Sequence, residues 1–120
     1  MVLVDTSVWI RFLNKRQPLA TELDRLLERD EVMGHALVYG ELLIGDRGGR
    51  ANLLADYSAM FAAAVLPHDD VVTFVNSRRL RGRGIGWTDA HLLASAVVER
   101  ARLWTADAQL ASLAAEVGVG

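Results

Sequence analysis

The sequence lacks cysteine and contains only two prolines. Without cysteine the chain can form neither a disulfide nor a thiolate metal site, a composition that suits a reducing cytosol. It also lacks a basic leader, and Asp5 and Arg11 interrupt the apolar run near the N-terminus. We therefore expect no signal peptide, no membrane span and a cytoplasmic location. A chain of 120 residues is expected to form one domain, residues 1–120, with a core that needs no covalent support.

An excess of positive charge is absent too. The chain has 13 basic and 15 acidic residues, so its overall charge does not indicate a nucleic-acid binder. Lysine is almost missing, and Lys15 is the only one; the other basic residues are arginines, whose planar guanidinium suits phosphate. Four of them are concentrated in one short segment: Arg78, Arg79, Arg81 and Arg83. This arginine segment either contacts RNA phosphates or is a solvated helix end, and both interpretations stay open.

An apolar run at the start of the chain predicts a buried strand, Val2–Val4, that ends at Asp5. Three further short apolar runs predict strands over residues 32–36, 64–66 and 103–105. Periodic apolar residues predict helices over residues 6–14, 18–29, 37–44, 51–64, 68–80, 89–100 and 108–116. Strands that alternate with helices are typical of an α/β fold, with a parallel sheet and helices on both faces.

Four acidic residues fall where such a fold places its ligands, outside the carboxyl ends of the strands. Asp5 and Asp107 each follow a predicted strand. Asp89 begins a helix, and Glu41 lies in the helix after the second strand. Taken singly, each acid is explained as a helix cap, a turn residue or a solvated side chain. Taken together, they predict four carboxylates at one edge of the sheet.

Clustered carboxylates repel one another, and proteins keep them mainly where a cation neutralises them. Oxygen ligands without a cysteine or histidine pattern favour Mg²⁺ or Mn²⁺ over zinc. These ions indicate phosphodiester hydrolysis or phosphoryl transfer. Receivers and phosphatases that form a phosphoaspartate need a second acid beside the first aspartate and a nearby lysine. Here Ser7 stands two residues after Asp5, and Lys15 is a helix away, so direct hydrolysis is favoured.

The segments around the four acids resemble the acidic motifs of a known family. In chain order they read VLVDTSVWI, YGELLIG, TDAHLLASA and LWTAD. They are similar to the four motifs of PIN-domain ribonucleases, most of all to the VapC toxins of toxin–antitoxin pairs. The resemblance covers nearly the whole chain, and four motifs in order make it specific.

The resemblance implies a three-layer α/β/α fold and a Mg²⁺-dependent endoribonuclease, with Mn²⁺ as a substitute. It also implies a homodimer, an RNA substrate and inhibition by a cognate VapB-like antitoxin, with no membrane involved. The matching catalytic and metal-binding residues are Asp5, Glu41, Asp89 and Asp107. The first three would hold metal directly or through water, while Asp107 would place a second metal or the attacking water. Cleavage by metal-activated water would leave a 3′-hydroxyl and a 5′-phosphate.

The sequence departs from the family in two places. Many relatives have another acid shortly after the position of Asp107, but Ala108, Gln109 and Leu110 follow here, which argues against a tightly bound second metal. The last strand is shortened at Gly118–Gly120, so we expect a sheet of four or five strands.

The other polar and aromatic residues near the motifs are expected to have structural roles. The hydroxyl residues beside the acids are expected to cap helices, although a hydroxyl could also orient a water; they are Thr6, Ser7, Thr88 and Thr105. Trp87 is expected to fill the core rather than stack on a base. Trp9 and Phe12 are expected in the core, in a helix that could also contribute to an antitoxin groove. No chemistry is assigned to the three histidines, His35, His68 and His91.

Two alternatives to a toxin remain: a PIN-like nuclease of RNA processing without an antitoxin, and a non-catalytic RNA- or protein-binding module. The complete set of four acids argues against the second alternative. The small size of the chain favours a toxin over the first. The RNA sequence, the number of metal ions, the dimer surface and the identity of the antitoxin are outside what the residues indicate.

Overall fold

The computed structural model describes residues 1–120 as three strands and seven helices. The strands are β1 (Val2–Val4), β2 (Val32–Met33) and β3 (Arg102–Trp104). The helices are α1 (Thr6–Leu13), α2 (Leu19–Glu28), α3 (Ala36–Ile44), α4 (Ala51–Ala59), α5 (His68–Ser77), α6 (Trp87–Glu99) and α7 (Ala108–Glu116). None of these helices has the length and apolar character needed to cross a membrane.

The sheet is parallel, with β1 between β2 and β3. All three residues of β1 are buried, which is why this segment is apolar without alternation. The connection from β1 to β2 and the connection from β2 to β3 cross the sheet in opposite directions. Right-handed crossovers therefore place helices on both faces. The predicted α/β fold with a parallel sheet is confirmed.

The predicted number of strands, four or five, was wrong. Residues 64–66 form no strand, and the chain instead meets the sheet earlier, at an isolated parallel bridge between Gly34 and Ala62. The backbone groups of Ala64 are bound by side chains of α6: its N–H donates to Glu99 (3.4 Å) and its carbonyl accepts from Ser95 (3.1 Å). Since these side chains occupy its hydrogen-bonding groups, Ala64 does not extend the ladder.

The C-terminal residues also stop short of a strand. The Leu103 N–H, on the outer edge of β3, donates to the Val119 carbonyl at 2.7 Å. Gly118 has a φ of 87°, which lets the chain turn back after α7 without steric strain. The C-terminus therefore covers one position of the β3 edge.

Six of the seven helices differ from their predicted bounds by at least one residue, and the differences in α4 and α6 affect core and site residues. The chain leaves α4 at Met60, which has extended backbone angles, so the helix ends five residues before predicted, and Phe61 beyond its end is 64 % exposed. Helix α6 begins at Trp87 with Gly86 as its N-cap, and Thr88 lies inside the first turn. The predicted capping role of Thr88 was therefore wrong.

The main core lies between the sheet and the helices and includes Trp9, which is almost fully buried. The Trp9 ring meets the rings of Phe12 and Tyr57 edge-on, with centroids 5.8 and 5.3 Å away. This geometry is the favourable one for aromatic pairs. The predicted core position of Trp9 is confirmed, and the contact with Tyr57 joins α1 to α4.

A buried histidine joins β2 to α6. His35 caps α3, since its Nδ1 accepts from the Leu37 N–H (3.1 Å), and its Nε2 lies 3.1 Å from the Ser95 hydroxyl. Burial, and to a lesser extent His91, lowers the pKa of His35 to about 4, so the ring is neutral at pH 7. Burial raises the pKa of Tyr57, whose hydroxyl binds the His35 backbone, to about 12. This network fixes α6, which carries Asp89.

Candidate active site

The candidate site lies where β1 and β3 end. Asp5 follows β1 directly, and its N–H donates to the Trp104 carbonyl at 2.9 Å, which extends the β1–β3 pairing by one residue. Asp5 is only 7 % exposed. A nearly buried carboxylate thus lies at the carboxyl edge of a parallel sheet, where this architecture binds its ligands.

Two hydroxyl groups hold the Asp5 carboxylate. Ser7 and Thr105 both donate to its Oδ2, at 2.7 and 2.8 Å. The hydroxyls are themselves fixed by backbone N–H groups after β3: Ala106 donates to Ser7 (3.0 Å) and Asp107 donates to Thr105 (3.0 Å). The predicted capping roles of Ser7 and Thr105 were wrong, because these side chains face the aspartate between two strand ends instead of a helix N-terminus.

Glu41 reaches the site from α3. This glutamate is exposed, and its Oε1 accepts a hydrogen bond from the Thr6 hydroxyl at 2.7 Å. Thr6 is the first residue of α1, so the bond ties the start of α1 to α3. Thr6 was predicted to cap α1 and instead positions a carboxylate.

Asp89 and Asp107 stand at helix starts, as predicted. Asp89, the third residue of α6, accepts from the Gly86 N–H through Oδ2 at 3.3 Å. Asp107 caps α7, because its Oδ1 accepts from the Leu110 N–H at 2.9 Å. The interpretation of these two acids as residues that cap a helix start is therefore correct for one carboxylate oxygen of each.

The structure brings all four acids to the same edge, close enough for their charges to interact. Burial raises the pKa of Asp89, and the negative charges of Asp5, Asp107 and Glu41 raise it further, against the opposing effect of the Gly86 hydrogen bond. A carboxyl group responds in this way when it is partly buried and like charges lie nearby. The edge therefore carries stored electrostatic repulsion.

The four carboxylates share one hydrogen-bonding pattern. In each, one oxygen accepts from the protein, and the other oxygen has no protein partner and is not fully buried. No three acidic or histidine side chains are close enough together to form a ready metal site. The donor set nevertheless fits a hard divalent cation, because it offers oxygens only, each anchored on one side and free on the other.

The arginine segment lies beside α7. Arg83 forms the one ion pair of the structure, with Glu116 (2.7 Å), and its carbonyl accepts from the Gln109 side-chain amide (2.5 Å). Arg78 lies over the Phe74 ring, 5.6 Å from its centroid. Arg81 is exposed and forms no hydrogen bond through its side chain. Gln109 lies in the first turn of α7, close to the N-cap Asp107, so the contact with Gln109 holds Arg83 near the acidic edge.

Trp87 was predicted to fill the core, and that was wrong: it is 44 % exposed. Its ring lies between His68 and His91, with centroid distances of 5.1 and 5.2 Å. Burial lowers the pKa of His91, and the neighbouring His68 lowers it further. Helix α6 starts two residues earlier than predicted, and Trp87 is its first residue.

Comparison with known proteins identifies the family. Residues 2–116 match the sequence profile of the PIN domain. The chain belongs to the PIN domain family. It is also 44 % identical, over 120 residues, to Ribonuclease VapC32 of Mycobacterium tuberculosis, in strains CDC 1551 / Oshkosh and ATCC 25618 / H37Rv. The alignment covers 99 % of this chain and 94 % of each relative, so the predicted resemblance to VapC-type PIN ribonucleases is confirmed.

Within this PIN domain, two positioning residues were assigned the wrong role from sequence. Ser7 stands two residues after Asp5, and Thr105 stands two residues before Asp107. In both cases a hydroxyl residue stands two residues from an acid at the end of a strand, and this spacing was the signal in the sequence for their role. It indicates hydroxyls beside carboxylates once β1 and β3 are known to be neighbours.

Proposed function

We propose that this PIN domain is a divalent-metal-dependent endoribonuclease of the VapC type, the toxin of a toxin–antitoxin pair. The observation that carries the proposal is the set of four carboxylates at one sheet edge, each with one oxygen free of protein contacts. Its similarity over almost the whole chain to a protein named a ribonuclease supports RNA as the substrate.

Mg²⁺, with Mn²⁺ as a substitute, is the proposed cation, and Asp5, Glu41, Asp89 and Asp107 would hold it. When bound, such a cation neutralises charge on the phosphodiester and lowers the pKa of water. Asp107 retains its proposed role of placing the attacking water or a second cation. Cleavage by water is expected to leave a 3′-hydroxyl and a 5′-phosphate.

The chain's own residues supply orientation. Ser7 and Thr105 fix one oxygen of Asp5, and Thr6 fixes one oxygen of Glu41, so neither carboxylate has to be ordered when substrate arrives. The backbone N–H groups of Gly86 and Leu110 fix Asp89 and Asp107 in the same way. The raised pKa of Asp89 means that a bound cation must also compensate for repulsion among the acids.

The experiment that tests the activity is sequencing of RNA 5′ ends after incubation with the purified protein and Mg²⁺. The control is Asp5→Asn, which keeps the shape of the side chain and removes the charge. New 5′-phosphate ends that appear with the parent protein and not with the variant are expected. Equal cleavage by both proteins would mean that a contaminating nuclease produced the 5′ ends, and it would contradict the proposed ribonuclease activity.

A homodimer and a VapB-like antitoxin are part of the proposal. Exposed apolar side chains on and after α3 and α4 support a protein-binding surface, above all Ile44, which is 89 % exposed, with Leu43 and Phe61. Native mass spectrometry of the protein co-expressed with the product of the adjacent reading frame measures both associations. A monomer without a partner would remove this part of the proposal.

The arginine segment is proposed to bind RNA phosphates through Arg78, Arg79 and Arg81, since Arg83 is engaged by Glu116. Arg81→Ala is expected to reduce the slope of log K against log salt concentration for single-stranded RNA by about 0.7. Arg83→Ala, the matched control, is expected to leave the slope nearly unchanged. Anisotropy titrations of labelled RNA at several salt concentrations measure both; equal slopes for the parent and Arg81→Ala would make the segment a solvated helix end.

A further inference from the structure

A second basic surface lies on one face of the sheet, over β3 and the start of β1, and its wall includes Val2 of β1. A cavity of about 280 Å³ opens between α2 and β3, and its wall includes Arg25, Arg29, Arg102, Trp104 and Glu22. We call this cavity the β3 groove. It shares no residue with the four acids or with the arginine segment, and no residue pattern in the sequence indicated it.

The groove exists because β3 is an edge strand. Arg102 and Trp104 stand two residues apart in β3, so their side chains point to the same face of the sheet. Their partners in the central strand are Val2 and Val4. Helix α2 packs on α1, which leaves the β3 side of this face partly uncovered. Along α2, Arg25 and Arg29 are four residues apart and therefore lie on the same side of the helix.

The charge of the groove is unbalanced. The side chains of Arg25, Arg29 and Arg102 form no hydrogen bond and no ion pair. The one ion pair of the structure joins Arg83 to Glu116. Glu22 lies in the same wall and pairs with none of them. Three guanidinium groups with free donors thus converge on one cavity in a chain of net charge −2. Forked, unpaired donors of this kind suit phosphate groups.

Trp104 connects the groove to the acidic edge. It is half-buried, so part of its ring is available to the cavity. Its carbonyl accepts from the Asp5 N–H at 2.9 Å, and the next residue, Thr105, binds the Asp5 carboxylate. An aromatic ring beside arginines is the combination that proteins use to stack a base and hold its phosphates. The groove therefore comes within one residue of the acidic edge at Trp104, while Arg102 lies toward the amino ends of the strands.

We propose that the β3 groove binds a nucleotide of single-stranded RNA next to the cleaved phosphodiester, with its base on Trp104 and its phosphates on Arg25, Arg29 and Arg102. The inference rests on the proposed ribonuclease function and adds a binding site to it. The volume, just below the ~300–1,000 Å³ of ligand pockets, suits one nucleotide unit and not a folded RNA.

The charge contribution is tested in the Asp5→Asn background, which prevents cleavage during the titration. Combined replacement of Arg25, Arg29 and Arg102 by alanine is expected to lower the salt slope of RNA binding by about 2, at roughly 0.7 per lost phosphate contact. The control is Arg47→Ala, an exposed arginine in the loop after α3 that lines none of this groove. It removes a charge and is expected to change the slope little.

The aromatic contribution is tested by two substitutions of Trp104. Trp104→Phe keeps a stacking face and is expected to retain most RNA affinity. Trp104→Leu is expected to lose roughly 5- to 100-fold, the range that corresponds to one stacked base. Melting temperatures of both variants check that the core beside Trp104 remains folded. Equal affinity of the phenylalanine and leucine variants, with both folded, would contradict stacking.

The outcomes separate the groove from the activity. An unchanged salt slope in the triple variant, with RNA still cleaved by the parent protein, would overturn the groove and leave the ribonuclease function in place. No cleavage by the parent protein would overturn the ribonuclease function, and the groove proposal with it.

A third experiment uses uridine monophosphate as a competitor of RNA binding. Competition supports a nucleotide site shared with RNA, whereas arginine-dependent binding of the mononucleotide without any effect on RNA would overturn the RNA path.

Discussion

Asp89→Asn is expected to abolish RNA cleavage and to leave the metal-free protein at least as stable as the parent. Burial and the charges of Asp5, Asp107 and Glu41 raise the pKa of Asp89, so the folded protein disfavours its ionised form. The asparagine oxygen can still accept the Gly86 hydrogen bond. Removal of the charge relieves repulsion among the acids and also removes a proposed cation ligand, so stability and activity should change in opposite directions.

The pH dependence of this effect has a definite sign. Because the pKa of Asp89 is higher in the folded than in the unfolded state, ionised Asp89 destabilises the fold above its unfolded pKa. This destabilisation is lost as the pH falls through the folded pKa. The stability advantage of Asp89→Asn should therefore be largest at neutral pH and should disappear on acidification. Melting curves of both metal-free proteins between pH 7 and about pH 3 measure it.

A control variant, Asp46→Asn, separates the loss of a site carboxylate from the loss of a carboxylate that only binds a backbone N–H. Asp46 accepts a backbone hydrogen bond from Gly48 (2.9 Å) and is not among the charges that act on Asp89. Asp46→Asn should therefore leave cleavage unchanged. If Asp89 were only a helix cap, its replacement would cost up to about 1 kcal/mol and leave catalysis intact. A variant of Asp89 that is less stable without metal and fully active would remove this residue from the site.

Chelation of divalent cations is expected to reduce RNA cleavage to background. The four proposed ligands are carboxylates, which bind hard cations, and the metal-free edge holds no compensating positive charge within its hydrogen-bond network. Addition of Mg²⁺ or Mn²⁺ after removal of EDTA should restore cleavage. The measurement is the cleavage rate of a labelled RNA by protein freed of antitoxin. Undiminished cleavage in EDTA would exclude the metal-dependent mechanism.

Cation binding should also be visible without activity. A ligand that binds only the folded state stabilises it, by about 2.7 kcal/mol at a concentration 100 times its Kd. Mg²⁺ is therefore expected to raise the melting temperature of the parent protein. Asp5→Asn should reduce the rise, and Asp46→Asn should preserve it. An equal rise in all three proteins would place the cation elsewhere.

The sequence by itself determined the features that depend on a few neighbouring residues. The apolar run of β1, the seven helical periodicities and the acids at strand ends and helix starts are local patterns, and they predicted the α/β fold and the edge at which the acids meet. Helix α7 has the predicted bounds, since its cap at Asp107 and its apolar positions lie within ten residues. The four motifs identified the family because their order and spacing are properties of the chain.

Tertiary structure decided the features that join distant residues. Thr105 binds Asp5 across 100 positions of sequence, and Ser95 holds Ala64 out of the sheet across 31, so neither contact follows from local preference. The β3 groove depends on which strand is at the edge and on where α2 packs. Hydroxyl and guanidinium groups have many possible partners along the chain, and only the positions of strands and helices select the partner that each one meets.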